Sequence, residues 1–560
     1  MPVILRTGRD LPAPDTWDRW LACTGSHPPL EMVRHLPELA KKLEAAFTAN
    51  RAEWWELGRR LGSEPSGRLA HAPTAASYNS DLGLMLAWGK LVENVAAETP
   101  TTLVVCDDPW VFRDLAGRPG VSAGRAPALW PARLRFAFRG WAARLRYALR
   151  AALWSTQMRQ HRGVFNRSAG AALLVYGHPA STADGDDAYF GSLMRTQPHV
   201  LRLLHTDCPA DRARALAADG RTASLHAWGR WRWIPAVLTA RWRPDLQTLS
   251  GPRGWLVRRA AGIENGGGAI AANTWQTRCQ ERWMATVRPD RVVWPWENHP
   301  WERAFVRAAR RAGIATYGYQ HTVVGPHQTN FAPATNPDGL ESIPDLVVCN
   351  GPAYRDQLRG WGLPEERLII GGAFRIARPA GSRHDPSGPV FVALSSSRPL
   401  SNKMMAAVVA TARSTERRFV VKDHPLYPYA IAETETVRRT SRTIPEHTGL
   451  AAVIYATGTS GMEGLLAGVP TLRFLPDDRI AVDVLPESLP VFPVTAETLG
   501  TALTTLPEPP RVAWDALYAP VDEALWQRLL CAAPVASASV DTHMPATRPD
   551  SRTVQIGTVL

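Results

Sequence analysis

Two groupings of polar side chains stand out in the C-terminal half of the chain: Lys422-Asp423-His424-Pro425, and Thr457-Gly458-Thr459-Ser460-Gly461-Met462-Glu463-Gly464. Small residues let a backbone turn approach an anion, and the hydroxyls of Thr459 and Ser460, with the free N–H groups of a helix starting there, would donate to a phosphate. Glu463, in the first turn of that helix, would accept hydrogen bonds from a ribose. The same residues also spell a helix start, with Ser460 as N-cap and Glu463 closing a capping box. The two readings are compatible, because a cap occupies only some of the free N–H groups. Ser395-Ser396-Ser397 adds a third cluster of hydroxyls, Lys422 a positive charge and His424-Pro425 a rigid donor. Upstream, Pro295-Trp296-Glu297-Asn298-His299-Pro300-Trp301-Glu302 and Gln320-His321 carry groups able to take a proton from a hydroxyl. Glu297 is the first candidate base and His321 the second, with Asp187, His299 and Gln320 on the same side. Trp294, Trp296 and Trp301 surround Glu297 in sequence, which predicts a desolvated carboxylate with a raised pKa. Glu302 is expected to be solvated on the following helix.

These residues must be held by something, and the strand-like runs supply it. Thr102–Cys106, Ala171–Tyr176, Arg291–Trp294 and Ile314–Tyr319 form one series. Asp345–Cys349, Leu368–Ile370, Pro389–Leu394, Arg418–Val421, Ala452–Tyr455 and Thr471–Phe474 form a second. They alternate with helical stretches, the pattern of βαβ units and parallel sheets. Ligands of such sheets bind beyond the C-terminal strand ends, where the candidate residues fall. A helical element is expected over residues 36–62, from the spacing of Leu39, Leu43, Phe47, Trp54, Leu57 and Leu61.

Composition narrows the chemistry. The six cysteines lie far apart with no C-x-x-C pair, which argues against a disulfide framework or structural zinc. Cys106 and Cys349 read as buried hydrophobes. Asp184-Gly185-Asp186 mimics a metal-binding D-x-D but reads as a turn. Asp107-Asp108 reads as a helix cap with a solvated neighbour, and His178 as a surface histidine. No metal or cofactor is expected.

The formal charge of +13 is unevenly placed: no Asp or Glu occurs between Asp114 and Asp184, while Arg133, Arg135, Arg139, Arg144, Arg146 and Arg150 fall in one stretch. On a helical wheel Leu134, Phe138, Trp141, Leu145, Ala148 and Ala152 share a face and Arg139, Arg146 and Arg150 oppose it. Such a helix suits an anionic membrane surface, or else packs its apolar face into the core. Nucleic acid is not implied, since no binding motif accompanies the charge. No apolar run approaches the ~20 residues that span a bilayer, and the N-terminus lacks a signal-peptide stretch. A cytoplasmic location, peripheral at the inner membrane, is expected.

The combination of VVKDHP, TSGMEGLLAGVP and YGYQH resembles GT-B glycosyltransferases of capsule and O-antigen synthesis, above all the surface carbohydrate biosynthesis proteins, with kinship to bacterial sialyltransferases and Kdo transferases. The resemblance runs from about Asp290 to Phe474, with DDAYFGSL (Asp186–Leu193) upstream. It implies an α/β fold of two Rossmann-like domains with parallel sheets facing a cleft, plus N-terminal helical elements. The expected division is a helical extension (1–95), an acceptor domain (96–346) with a basic insertion (126–167), a donor domain (347–505), a terminal helix (506–530) and a disordered tail (531–560). In such enzymes the His-Pro pair, here His424-Pro425, and the Thr/Ser pair, here Thr459-Ser460, contact the nucleotide phosphate. The implied activity is metal-independent transfer of a sugar from a nucleotide sugar, a CMP-sugar among the candidates, to a polysaccharide or lipid-linked glycan. The E-x-seven-E spacing of many retaining enzymes is absent, because Tyr455 and Thr471 occupy the positions around Glu463. Alternatives of the same architecture are a CDP-glycerol-type polyol-phosphate transferase, a hydrolysing nucleotide-sugar epimerase, and a non-catalytic polysaccharide assembly or binding protein.

Overall fold

The computed structural model describes all residues except Met1, His27, Ser168, Ala169, Ala380, Pro425, Leu426 and 532–560. Its strands form three sheets whose pairings are all parallel. The first joins β1 (Val3–Arg6), β2 (Arg19–Ala22), β3 (Thr102–Val105) and β4 (Val121–Ala123) in the order β2-β3-β1-β4. The second has the order β11-β10-β9-β8-β5-β6-β7. It contains β5 (Ala171–Val175), β6 (Leu201–Leu204), β7 (Thr222–Ser224), β8 (Arg291–Pro295), β9 (Ala315–Gln320), β10 (Leu346–Cys349) and β11 (Leu368–Ile370). The third, ordered β14-β13-β12-β15-β16-β17, contains β12 (Val390–Ala393), β13 (Phe419–Lys422), β14 (Val437–Arg439), β15 (Ala452–Tyr455), β16 (Thr471–Phe474) and β17 (Phe492–Val494). The fold is α/β with two large parallel, Rossmann-like sheets. The central strands are buried on both faces, as parallel sheets covered by helices require.

Sheet membership corrects the expected division in two places. Residues 1–95 hold two strands as well as helices, and Thr102–Val105 pairs with them rather than with the larger N-terminal sheet. The first unit is therefore a small parallel sheet covered by α1 (Leu39–Ala49), α2 (Arg51–Ser63), α3 (Leu82–Ala96) and α4 (Pro109–Ala116). The helix expected over 36–62 is split at Asn50, between α1 and α2. Second, β10 and β11 belong to the N-terminal sheet: Val347 is in register with Gly318 of β9 and with Leu368 of β11. The third sheet begins only at Val390, and the polar stretch 376–388 connects the two sheets. The C-terminal helix Glu523–Cys531 returns to the second sheet, where the Trp526 indole donates to Gly371 O at 2.9 Å and Arg291 donates to Leu529 O. The tail expected to be disordered lies, after Cys531, outside the described residues.

The basic stretch forms α5 (Trp130–Gln157). Its inward face is Gly140, Arg144, Tyr147, Ala148, Ala151 and Ser155, not the apolar face read from the wheel. Gly140 sits where a Cβ would lie 1.9 Å from Asn265 O, so only glycine allows this approach. Arg144 is turned inward and donates to Asn265 O (2.8 Å) and Leu238 O (3.2 Å). Leu134, Phe138 and Trp141 instead face outward, 62%, 73% and 56% exposed, joined by Trp130, Leu149 and Leu153. Packing into the core is thus overturned for the large apolar side chains, while Ala148 is buried as part of the inner face. No helix among the described residues is long and apolar enough to cross a membrane.

Candidate active site

β8 and β9 are neighbours, so the residues after their C-terminal ends meet. Trp296 turns into the core against Phe331, and the chain then bends through Asn298 at φ +55°, a conformation Asn tolerates. The helix Pro300–Arg311 follows. The bend is held by Glu302, which the sequence placed in solvent but which is 1% exposed. Its carboxylate accepts from the backbone N–H groups of Glu297 (3.0 Å), Asn298 (3.1 Å) and His299 (3.3 Å), and from the Trp294 indole (3.0 Å). Burial pushes its pKa up to about 7 against these donors. Arg303 clamps the same loop, donating to Asn298 O and to Thr335.

Held in this way, the Glu297 side chain remains 36% exposed. Oε2 lies 2.7 Å from His299 Nε2, and Oε1 lies 3.8 Å from Nε2 of His321, the residue after β9. The expected rise in its pKa is reversed. Burial does work upward, but the hydrogen bond from His299 and the charges of His299, His321 and Arg375 outweigh it and hold the carboxyl at about 2. The expectation failed because it counted burial, which does act, but not the two histidines and Arg375 beside the carboxylate. His299 responds in the opposite sense: burial lowers its pKa, the bond to Glu297 raises it further, and the net direction is up. Burial lowers His321 to about 4. Its ring stands edge-on to Tyr189 at 5.1 Å.

Two expected members of this side lie elsewhere. Asp187 is buried, accepts from Ser181 Oγ, Tyr189 N and Phe190 N, and faces Arg202 at 3.8 Å; it shapes a loop and does not reach the cleft. Gln320 is fully buried, linking Thr322 O and Asn350 N across strand ends. Asp184-Gly185-Asp186 is a turn, with Gly185 at φ +93° and Asp186 paired to Arg195. Asp108 caps α4, accepting from Trp110 N and Val111 N. His178 Nδ1 accepts from Ala180 N. Among the described residues no group of His, Cys, Asp or Glu is placed to hold a metal ion.

In the third sheet β13, β12 and β15 are adjacent, so Lys422–His424, Ser395–Ser397 and Thr457–Ser460 share one edge. Ser396 is exposed and Ser397 half-buried, while Ser395 is buried and its Oγ accepts from Ser397 N at 3.1 Å. His424 is half-buried beside the Tyr427 ring, and burial lowers its pKa. Lys422 donates to Ser441 O at 2.9 Å. Pro425 lies outside the described residues. Thr459, not Ser460, is the N-cap of the helix Ser460–Leu466, and no capping box with Glu463 forms. The Gly461 position has a packing cause: a Cβ there would come 2.5 Å from the Tyr455 ring. Glu463 is half-buried, and burial raises its pKa, opposed by Lys422.

Sequence reasoning missed the residues that bridge the two sides. A cavity of about 370 Å³ lies between the first unit and this edge, lined among others by Ser77, Tyr78, Ser80, Ser396, Ser397 and Thr457. The Tyr78 hydroxyl is 2.8 Å from Thr457 Oγ1, and Asn79 Nδ2 is 3.5 Å from His299 Nδ1. One short loop therefore touches both candidate half-sites. Arg375, just after β11, is exposed, sits 5.4 Å over the Tyr189 ring, and bears electrostatically on Glu297 and His321. A polar S-Y-N-S run between helices and an arginine at a strand end were the available signals.

No protein-family model and no curated protein matches the chain. Among solved structures it is similar to the UDP-GlcNAc 2-epimerase from Neisseria meningitidis bound to UDP-GlcNAc, with 11% identity, TM-score 0.38, and 64% of this chain covering 99% of that one. It is also similar to the glycosyltransferase SnogD from Streptomyces nogalater (16%, 0.35, 60% and 90%) and to Acinetobacter baumannii MurG (13%, 0.32, 60% and 90%). The chemistry of the site rests on its own residues.

Proposed function

We propose that this chain is a GT-B glycosyltransferase that moves a sugar from a nucleotide-activated donor to a growing surface polysaccharide. The observation that carries this reading is the facing of two half-sites. One is a sheet edge of hydroxyls, Lys422 and His424; the other is the Glu297–His299–His321 cluster; the Tyr78-Asn79 loop touches both. In this reading Ser396, Ser397, Thr459, Ser460 and His424 donate to the donor's phosphates, with Lys422 and Arg375 adding positive charge and Glu463 meeting the ribose. The acceptor hydroxyl gives its proton to Glu297, with His321 beside it, and His299 holds the carboxylate. The hydroxyl oxygen bonds to the anomeric carbon as the bond from that carbon to the phosphate oxygen breaks. The electron pair stays on the phosphate, where preorganised donors spread the charge without a metal. A CMP-sugar is one donor the sequence resemblance suggests.

His424→Ala and Ser460→Ala are each expected to weaken nucleotide binding about tenfold, the loss of one charge-assisted hydrogen bond, with the melting temperature unchanged. Calorimetry showing wild-type affinity in both variants would remove the donor-site assignment. Following nucleotide release from candidate nucleotide sugars with and without acceptor separates transfer from epimerase-type hydrolysis, and CDP-glycerol as donor tests the polyol-phosphate alternative. A non-catalytic protein would release none.

The same reading places the protein on the cytoplasmic face of a membrane, held by α5. Exposed Trp130, Leu134, Phe138, Trp141, Leu149 and Leu153 lie beside exposed arginines with no nearby acid in sequence, the composition of an interfacial helix on anionic lipid. Phe138→Asp with Trp141→Asp is expected to lower partition into phosphatidylglycerol vesicles by at least ~tenfold without changing the melting temperature. Co-sedimentation equal to wild type would reject the attachment.

A further inference from the structure

A second cavity, of about 360 Å³, lies where α4, α5, the helix Gly254–Asn265 and the segment 241–244 meet. None of its lining residues belongs to either half-site of the transfer reading. Four arginines line it, Arg133 and Arg144 from α5 together with Arg241 and Arg258, and no aspartate or glutamate does. Arg144 donates to Asn265 O and Leu238 O, and Arg258 to Leu249 O. Arg133 and Arg241 are exposed, and their side chains have no hydrogen-bond or ion-pair partner among the described residues. Arg259, next to Arg258 in sequence, shows the contrast: it meets Asp81 at 2.8 Å and Asp108 at 2.7 Å. Carbonyls satisfy donors without cancelling their charge, so like charges crowd the cavity. Burial and the charge of Arg241 lower the pKa of Arg144, and burial and Arg133 lower that of Arg113 on α4. The walls are fixed. Trp110 and Phe136 stack with ring centroids 5.8 Å apart, and Asn265 exchanges two hydrogen bonds with the backbone of Trp242, at 2.8 and 2.7 Å.

We propose that this cavity is a second ligand site, distinct from the donor and acceptor sites, for a phosphate monoester. A monoester carries up to two negative charges on one small group, and guanidinium groups bind its oxygens through paired hydrogen bonds. A carboxylate or a phosphodiester brings only one charge. The stacked rings of Trp110 and Phe136 give the ester's carbon skeleton an apolar wall, and the volume suits a small organic ligand. The outward apolar side chains of α5 begin at the edge of the cavity, since exposed Leu134 follows Arg133 and exposed Phe138 follows Ala137. The monoester therefore has two possible sources, a dissolved phosphate ester and the headgroup of phosphatidic acid. The site is independent of the transferase reading and stands if that reading fails.

The test titrates the full chain with glycerol 3-phosphate and with the diester glycerophosphoglycerol. In parallel it uses phosphatidylcholine vesicles carrying phosphatidic acid or phosphatidylglycerol at equal surface charge. The monoester is expected to bind about tenfold more tightly than the diester in at least one format. A preference in solution alone identifies a dissolved ester as the source, and a preference on vesicles identifies the lipid. Arg133→Lys with Arg241→Lys keeps the charge but loses the paired donors, and is expected to abolish the preference with the melting temperature unchanged. Ala137→Phe, at an exposed position of α5, fills the cavity and is expected to do the same. No monoester preference in either format overturns the proposal. So does a preference that persists in both variants, as binding at the donor edge would. Nucleotide affinity of the variants stays at wild type, so failure of the donor reading appears in a separate measurement.

Discussion

Glu297→Gln is expected to lower the proposed sugar transfer by about 100-fold or more with nucleotide affinity unchanged. The substitution keeps the shape of the side chain and removes its capacity to take a proton, and positioned general bases contribute roughly 10²–10⁴-fold. A carboxylate held at about 2 is a weak base by itself, so its partner decides the pH dependence. Glu297 and His299 share a 2.7 Å hydrogen bond and titrate as a pair. His299 Nδ1 accepts from the Glu302 backbone N–H, so its Nε2–H donates to Glu297 in both charge states. Once His299 loses its positive charge, the charge that depresses the carboxyl is gone and Glu297 is the stronger base. The His299 pKa lies above its ordinary 6.5, so the rate should rise with pH through a limb above 6.5, and not through one in the carboxylate range. Stability gives an independent reading of the pair. The depressed Glu297 contributes stability that is present above its ordinary 4.5 and lost as pH falls toward about 2. The raised His299 contributes stability that is present below 6.5 and lost as pH rises through its folded value. The melting difference between wild type and Glu297→Gln is therefore widest between pH 4.5 and 6.5. Near-normal transfer in Glu297→Gln, with a large loss in His321→Ala, would move the base to the histidine.

Every aliphatic run marked in the sequence became a strand, because a parallel sheet covered on both faces demands continuous Val, Ile and Leu, and that pattern is local. The strands that escaped are short or carry charge. β6 reads Leu201-Arg202-Leu203-Leu204, and Arg202 is tolerated in a buried strand only because Asp219 lies 3.0 Å away and Asp187 3.8 Å. No pattern along the chain shows that pairing. The same limit explains the strands Val3–Arg6 and Arg19–Ala22, whose partner lies at Thr102–Val105.

In the candidate site, residues just beyond strands were legible, since adjacent strands bring their C-terminal ends together whatever the details. Glu297, His299 and His321 meet for that reason. Tyr78 and Asn79 were not legible, because their place depends on how separate units close on one another, and Arg375 was not, because it lies five residues beyond its strand and reaches Tyr189 across the same sheet. The mistaken pKa of Glu297 had a further cause. Tryptophans close in sequence predict burial, which does act on Glu297, but they do not show the histidines whose bond and charge outweigh it.

Glu302→Ala should lower the unfolding free energy by about 3 kcal/mol, because it strips acceptors from buried donors, each costing roughly 1–3 kcal/mol when left unmade. The donors are the Trp294 indole and the N–H groups of Glu297, Asn298 and His299, and among the described residues Glu302 is the acceptor of the indole nitrogen. Position is at stake as well as stability. Asn298 sits at φ +55°, and a bend of that kind persists only while its surroundings hold it. Once the carboxylate is gone, the Glu297 side chain loses its fixed distance to His299 and His321, and misplacement of about 1 Å can cost on the order of 10²-fold in rate. Glu302 touches no reacting atom in this scheme, so it is a positioning residue. Glu302→Gln keeps one acceptor oxygen and should recover part of both losses, whereas a solvated surface glutamate would show neither loss nor rescue. Chemical denaturation of the three proteins, with nucleotide affinity as control, decides the matter: equal stability of Glu302→Ala and wild type would mean that the loop is held by Arg303 and Asn298 alone.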